Sequence, residues 1–428
     1  MTAPELDNGS PPPARPRAGP RVPLYVQIII GMAIGVAVGP VLGSRAAPLG
    51  ELGKLVIQLI KAVATPLVFL AIVNAILRTE IKGRAGLRML TLAVINACIA
   101  LAIGIVLANV LHPGQSLQVV APASAAPTLT AYADKKIDVM KTLAGTIPAN
   151  LVQPFADNAI LSVVVLALLL GFALRAVRGE AAVAAGARAI DDAVAALLRV
   201  MEIVLGWVIR LVPIAVFGVV AKIVADHGFA ALKGLGAYVG TGLLGMALHI
   251  AITYQLWLAI GARLSLRRFW REAKEPVIYA AGANSSLATL PLTVRALDRL
   301  GVSRASSTLG AMVGTNLNND GIILYEGMAM LLVAQAHGVH LSIGQQLIAA
   351  GSCLVAAMGV AGIPEAGFIS LALVLNTVGL PVDILPLLLT VDWILGRARS
   401  VTNVLSDMVL STMIDRGRRP APAPPAHM

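Results

Sequence analysis

Four polar residues recur along one apolar stretch near the C-terminus: Asp392, Arg399, Asn403 and Asp407. At ~100° per residue in an α-helix, all four fall within about 60° of one face. An ionised side chain at the centre of a bilayer costs roughly 2.5–3.5 kcal/mol on insertion scales. Such a stripe belongs in a protein-lined site, away from lipid. Arg399 offers a planar fork of donors that matches a carboxylate bidentately, which makes it either an anion receptor or half of a structural Arg–Asp pair between helices. A second group, GTNLNNDG at 314–321, sets Asn316, Asn318, Asn319 and Asp320 between Gly314 and Gly321. Asn, Asp and Gly are poor helix formers, so this segment is expected to unwind. Freed carbonyls beside the Asp320 carboxylate suit a small hard cation such as Na⁺. The plainer reading, a solvated loop between two short helices, sits badly with the apolar LLVAQA that follows. Glu326, later in the same run, is either a satisfied structural carboxyl or a proton carrier. The six histidines show no metal-ligand spacing, and His249, alone in mid-run, reads as a packed core side chain.

The composition says what must hold these groups. The chain has 428 residues, of which 57% are hydrophobic and 13% charged, with a mean hydropathy of +0.83. A soluble domain carries roughly 25% charged residues, so the surplus apolar surface must face lipid. That excludes an ordinary cytosolic enzyme, a disordered chain and a disulfide scaffold. The net charge of +11 comes from Lys and Arg clustered between apolar runs, the pattern of the positive-inside rule and not of nucleic-acid binding. Cys98 and Cys353 both lie in apolar runs and read as buried thiols.

Apolar runs lie near 24–43, 52–77, 89–111, 159–177, 195–225, 234–261, 276–294, 305–335, 347–380 and 384–414. A span needs about 20 apolar residues. Basic connectors place 78–88, the Arg175–Arg188 region and 263–274 on the cytoplasmic side, and the long 112–150 connection outside. Arg295, Arg299 and Arg304 then make both ends of the 276–294 run cytoplasmic, and Gly282, Asn284, Ser285, Ser286 and Pro291 interrupt its middle. That is a re-entrant hairpin. A second one, tipped by GVAGIPEAG at 359–367, reconciles the 347–380 run with the Arg416–Arg419 cluster. The expectation is an all-α membrane protein of eight transmembrane helices plus two re-entrant helical hairpins, arranged as inverted repeats. Both polar tails, 1–22 and 416–428, are expected to be disordered and cytoplasmic. Inverted repeats with broken helices mark secondary transporters.

NSSLATLP (284–291), NLNNDG (316–321), GVAGIPEAG (359–367) and the 392–407 stripe, in order, resemble the glutamate-transporter homologues of the dicarboxylate/amino acid:cation symporter family. IPANLVQPFADNAILSVVVLALLLG (147–171) resembles that family's fourth helix region. The resemblance implies an elevator-type homotrimer in the cell inner membrane. It divides the chain into a scaffold (23–77 and 112–225) and a transport domain (78–111 and 226–415). It implies that Arg399 holds a substrate carboxylate and Asn403 the other. Asn284, Ser285 and Ser286 would cradle a carboxylate, Ile363 and Gly367 would form the gate, and Ser400 stands where relatives often carry Thr. Gly314, Asn318, Asn403 and Asp407 match one sodium site, and Asp320 with Asn318 matches part of another. Glu326 matches a glutamate of proton-coupled members.

The departures shape the expected substrate. Amino acid-binding members carry an aspartate where this chain has Gly396, and a buried ammonium without an anionic partner is strongly disfavoured. A small C4 dicarboxylate such as succinate, fumarate or malate is therefore expected, moved with Na⁺ and/or H⁺ and without a cofactor. Glu365 at the second tip leaves acidic or neutral amino acids open as the other substrate class. Asn316, Asn319, Ile322, Ala93, Asn96 and Ala97 depart from the family's sodium-site residues and leave the stoichiometry open. A membrane-embedded aspartyl protease built on Asp320 and Asp407 lacks the GxGD-like context. The expected partners are a small anionic substrate and the lipid bilayer, with no nucleic acid.

Overall fold

The computed structural model describes residues 22–78, 83–117, 147–180, 182–359 and 366–416. The expected tails, most of the 112–150 connection and the second hairpin's tip, with Ile363 and Glu365, lie outside the described residues. Every regular element among those described is a helix.

Helix α1 (Leu24–Leu42) runs into α2 (Gly50–Arg78) through a short 3-10 turn. Its glycines Gly31, Gly35 and Gly39 recur every fourth residue and lie against α6 (Val212–His227). A Cβ at Gly35 would come 2.8 Å from the Phe217 carbonyl oxygen. Small residues let membrane helices approach this closely, and van der Waals packing then holds them. Helices α4 (Ile160–Val177), α5 (Ala184–Ile209) and α6 complete a group that packs around α2. The 195–225 run, read as one span from its hydropathy, is two helices, α5 and α6, meeting at a bend of 40°. Pro213 near the start of α6 has no N–H to continue the α5 hydrogen-bond ladder, which ends the first helix there.

The second group is built on α3 (Gly83–Leu111), α7 and everything that follows. Helix α7 begins at Ala230–Leu248 and passes through two π-helical turns, His249–Tyr254 and Trp257–Ala262. The first hairpin comprises α8 (Leu266–Ala283) and α9 (Ser286–Leu300), so its arms reach well beyond the apolar 276–294 core. Asn284 turns it with a φ of 52°, a left-handed conformation that Asn tolerates better than most residues. The next segment, α10, is made of Arg304–Ser307, π-helical Thr308–Val313 and Gly314–Leu317. It stops at Asn318 and Asn319, which are non-helical, and α11 (Asp320–Ala336) starts beyond them. The second hairpin is α12 (Ile343–Gly359) and α13 (Ala366–Thr377), and α14 (Leu385–Asp415) closes the described chain. Helix α11 is buried along nearly its whole length, packed on α3, α13 and α14. It is the axis around which the polar groups gather.

Candidate functional site

The first hairpin delivers its turn to α14. Ser285 caps α9, its Oγ accepting from the Ala288 amide at 3.1 Å. Asn284 Oδ1 accepts from Ser400 Oγ at 3.3 Å, and Ser286, the first residue of α9, is buried. One turn below Ser400, a Cβ on Gly396 would lie 2.9 Å from Asn284 Oδ1 and 3.4 Å from an Arg399 terminal nitrogen. The missing side chain at 396 is therefore what makes room for the hairpin turn.

Arg399 is buried, and its fork is engaged within its own helix. Its two terminal nitrogens donate to the two oxygens of Asp392, at 2.6 and 2.8 Å. The guanidinium also lies 4.2 Å from the Tyr325 ring centroid, a cation–π contact strengthened by desolvation. Gly367, on α13, faces its other edge, where a Cβ would come 2.8 Å from Nε. Arg399 does pair with an aspartate, but the expected pair between helices is instead one between residues seven apart on a single helix. Arg399, Ser400, Asn284, Ser285, Ser286 and Gly367 nonetheless converge on one locus between the two hairpins.

Farther along α14, the broken segment supplies a second cluster. Gly321 donates its amide to Asn403 Oδ1 at 2.8 Å, and Asn403 Nδ2 donates to Asn319 Oδ1 at 3.3 Å. A Cβ on Gly321 would come 2.7 Å from the Arg399 carbonyl oxygen, so only glycine lets the start of α11 lie this close to α14. Asp407 Oδ2 accepts from Thr315 Oγ1 at 2.6 Å, and Gly314 faces its Oδ1. Asn318 Nδ2 donates to Ser406 Oγ at 2.7 Å. Asp320 Oδ2 accepts from Ser406 Oγ at 2.5 Å, from Tyr254 OH at 3.0 Å and from Asn96 Nδ2. His249 Nε2 lies 3.3 Å from the same oxygen.

Three oxygens of this cluster, all buried, receive no hydrogen bond from any described residue: Asn318 Oδ1, Asp320 Oδ1 and Asp407 Oδ1. A buried acceptor left without a donor costs about 1–3 kcal/mol, more when charged, and calls for an explanation. An amide oxygen and two carboxylate oxygens are the hard donors that an alkali cation takes. Glu326 adjoins the Arg399 locus through α13. It is buried on α11, where its Oε1 accepts from Ser370 Oγ and its Oε2 has no donor among the described residues. Ser370 Oγ also lies 3.3 Å from the carbonyl oxygen of Gly367, the glycine beside the guanidinium.

Sequence spacing did not mark Asn96, His249, Tyr254 and Ser406 as members of the cluster. His249 lies 71 residues from Asp320 in the chain and Asn96 lies 224. The trace that His249, Tyr254 and Ser406 left is a polar side chain inside an apolar run, whereas the family resemblance had already set Asn96 at a sodium-site position. The π-helical turn His249–Tyr254 brings both of its end residues to Asp320, the kind of distortion found at functional positions.

Known proteins resemble this chain over most of its length. Residues 24–417 match the model of the sodium:dicarboxylate symporter family. The chain is 32% identical over 376 residues to a C4-dicarboxylate transport protein of Anaeromyxobacter sp. (strain K), covering 86% of this chain and 84% of that protein. It is 32% identical over 382 residues to C4-dicarboxylate transport protein 3 of Ralstonia nicotianae, covering 88% and 83%. A C4-dicarboxylate transport protein of Deinococcus radiodurans is 32% identical over 376 residues, covering 86% and 83%.

Proposed function

The chain belongs to the sodium:dicarboxylate symporter family, and on that premise we propose that it takes up a C4 dicarboxylate together with Na⁺ and/or H⁺. It is a membrane transporter and not an enzyme. What carries the substrate reading is the ground beside Arg399. A Cβ at 396 would lie 3.4 Å from an Arg399 terminal nitrogen and crowd Asn284 at 2.9 Å. A carboxylate that would pair a substrate ammonium has no place there. A second substrate carboxylate is instead served by Ser285, Ser286, Ser400 and Asn403.

Charge supports the coupling. Among the described residues the buried Arg399 pairs with Asp392, while Asp320 and Asp407 are buried without a basic Lys or Arg partner, so a dianion enters only with cations to offset it. Asn318, Asp320 and Asp407 offer the unpartnered oxygens, with Gly314 and Asn403 shaping the same pocket. Glu326, tied to the second hairpin through Ser370, is the candidate proton carrier. We read α1, α2 and α4–α6 as the stationary scaffold and α3 with α7–α14 as the moving transport domain of an elevator. In this reading the protein is a homotrimer in the inner membrane, has eight spans and two re-entrant hairpins, and keeps both termini cytoplasmic.

Proteoliposomes test it. Radiolabelled succinate accumulates under an imposed Na⁺ or proton gradient and aspartate does not. Uptake of aspartate alone overturns the substrate reading. Uptake that follows a pH gradient and ignores Na⁺ removes Asp320 and Asp407 as sodium ligands.

A further inference from the structure

Between α2, α6 and the connection 381–384 lies a cavity of about 520 Å³, within the ~300–1,000 Å³ range of small-molecule sites. Lys54, Gln58 and Lys61 face it from α2, spaced at i, i+4 and i+7 along one side of the helix. Lys222 and Asp226 face it from α6, and Asp383 from the connection. The wall between them is apolar, made by Ile57, Val219, Ile223 and Val382. Gly50 shapes one end: a Cβ there would lie 2.5 Å from Lys222 Cδ, so the lysine stem lies flat across the start of α2.

The charges are unevenly matched. Lys54 pairs with Glu51 at 2.7 Å, and Asp383 pairs with His337 at 3.2 Å. Lys61 donates to the neutral Asn376 Oδ1 of α13 at 3.2 Å. Among the described residues no carboxylate lies within ion-pair distance of Lys61 or Lys222. Two partly buried ammonium groups on an apolar wall, one bonded to a neutral amide, are stabilised by an anion brought from outside.

We propose that this cavity binds an amphipathic anion, a carboxylate or phosphate group on an alkyl chain, with its head on Lys61 and Lys222 and its chain along Ile57, Val219 and Ile223. The site is separate from Arg399 and from the cation cluster. Its walls come from α2 and α6 on one side and from the segment leading into α14 on the other. An occupant therefore favours the arrangement in which those walls meet and slows any cycle that parts them. That consequence rests on the elevator reading, whereas the binding does not.

The test uses thermal unfolding of the full-length protein in a non-ionic detergent, titrated with decyl phosphate. Inorganic phosphate and decanol each supply one half of the probe. Decyl phosphate is expected to raise the melting temperature saturably, with neither half doing so at the same concentration. In a K61Q/K222Q variant the half-saturating concentration is expected to rise about tenfold or more. The shift given by succinate with Na⁺ stays unchanged in that variant, so a failure of the transport reading shows up separately. An equal response to inorganic phosphate, or an equal response of the variant, overturns the proposal. Uptake in phosphatidylcholine vesicles with and without phosphatidylglycerol then identifies the source. Slowing by phosphatidylglycerol that K61Q/K222Q relieves assigns the site to a lipid headgroup, and equal uptake in both assigns it to a free amphiphile.

Discussion

Arg399 illustrates what a residue type can and cannot announce. Its spacing from Asp392, Asn403 and Asp407 placed it on a polar stripe, but spacing alone did not decide which carboxylate its fork meets. In the structure Asp392 meets it, at 2.6 and 2.8 Å. Substrate choice then turns on the neighbouring position. An Asp in place of Gly396 would bring its Cβ 2.9 Å from Asn284 Oδ1 and its carboxylate into competition with Asp392 for the guanidinium. We expect G396D to cut succinate uptake about tenfold or more, roughly 1.4 kcal/mol in transition-state terms, without gaining aspartate uptake. Clearing the hairpin turn in G396D/N284G should then allow aspartate to enter. Aspartate transport by G396D alone would show that Asn284 does not fill the position. Asn318 and Asp320 were legible from sequence because several helix-breaking polar residues crowd one apolar run, and Asp407 because it shares a helical stripe with Asp392, Arg399 and Asn403. The bonds that Asn96, Tyr254 and His249 make to Asp320 were not legible from spacing, since nothing short-range links residues that meet only after α3 and α7 have packed on α11. For Asn96 only the family resemblance pointed to the position.

The elements follow the hydropathy pattern where burial is uniform and depart from it where backbone chemistry intervenes. The glycines of α1 explain its seat on α6, and the Asn-Asn break explains why α10 and α11 are separate. The break at Pro213 was missed because the apolar run continues straight through it. A further element-scale feature lies at the base of the second hairpin. His337 follows α11 and Asp383 precedes α14, so their ion pair, at 3.2 Å, joins the chain on either side of α12 and α13. Burial pushes the His337 pKa down, but the Asp383 hydrogen bond and charge outweigh it and raise it overall. Burial likewise pushes Asp383 up, and its hydrogen bond and charge interaction with His337 bring it below its usual value. A raised histidine stabilises the fold at low pH and loses that contribution as pH climbs through its folded pKa. A depressed carboxylate stabilises above its unfolded pKa and loses its contribution as pH falls through the folded one. The clip thus acts between the two, fading on the acid side through Asp383 and on the alkaline side through His337. Melting temperatures measured against pH should show H337Q less stable than the parent inside that window, by on the order of 1 kcal/mol, and converging with it on both sides. A constant offset at every pH would mean that the histidine acts by packing alone.

At the scale of the whole molecule, the two hairpins are treated differently by their surroundings. The second packs on α2 and α4, while the first packs on α14 and α10. If the group from α7 onward slides against α2 and α6, the structure holds the stage in which the second hairpin and the start of α14 rest on the stationary helices. The contact to trap is Gly53 with Pro386. A Cβ on Gly53 would lie 3.4 Å from Pro386 Cβ, close to the ~3.5–4.5 Å at which two cysteines form a disulfide. It would also press on Val219 Cγ2, so the cysteines are placed in a V219A background that makes room for it. With the native thiols removed as C98S and C353A, G53C/P386C should cross-link under mild oxidation and lose succinate uptake, and a reducing agent should restore it. Each single variant should keep its uptake under the same oxidation. A fully cross-linked protein that still accumulates succinate would mean that α2 and α14 keep one relation throughout the cycle, and the moving body would then have to be sought in the hairpins alone. Arrest with recovery would fix α2 as the rail, because a single bond of about 2 Å between these two helices stops only a motion that needs them to part.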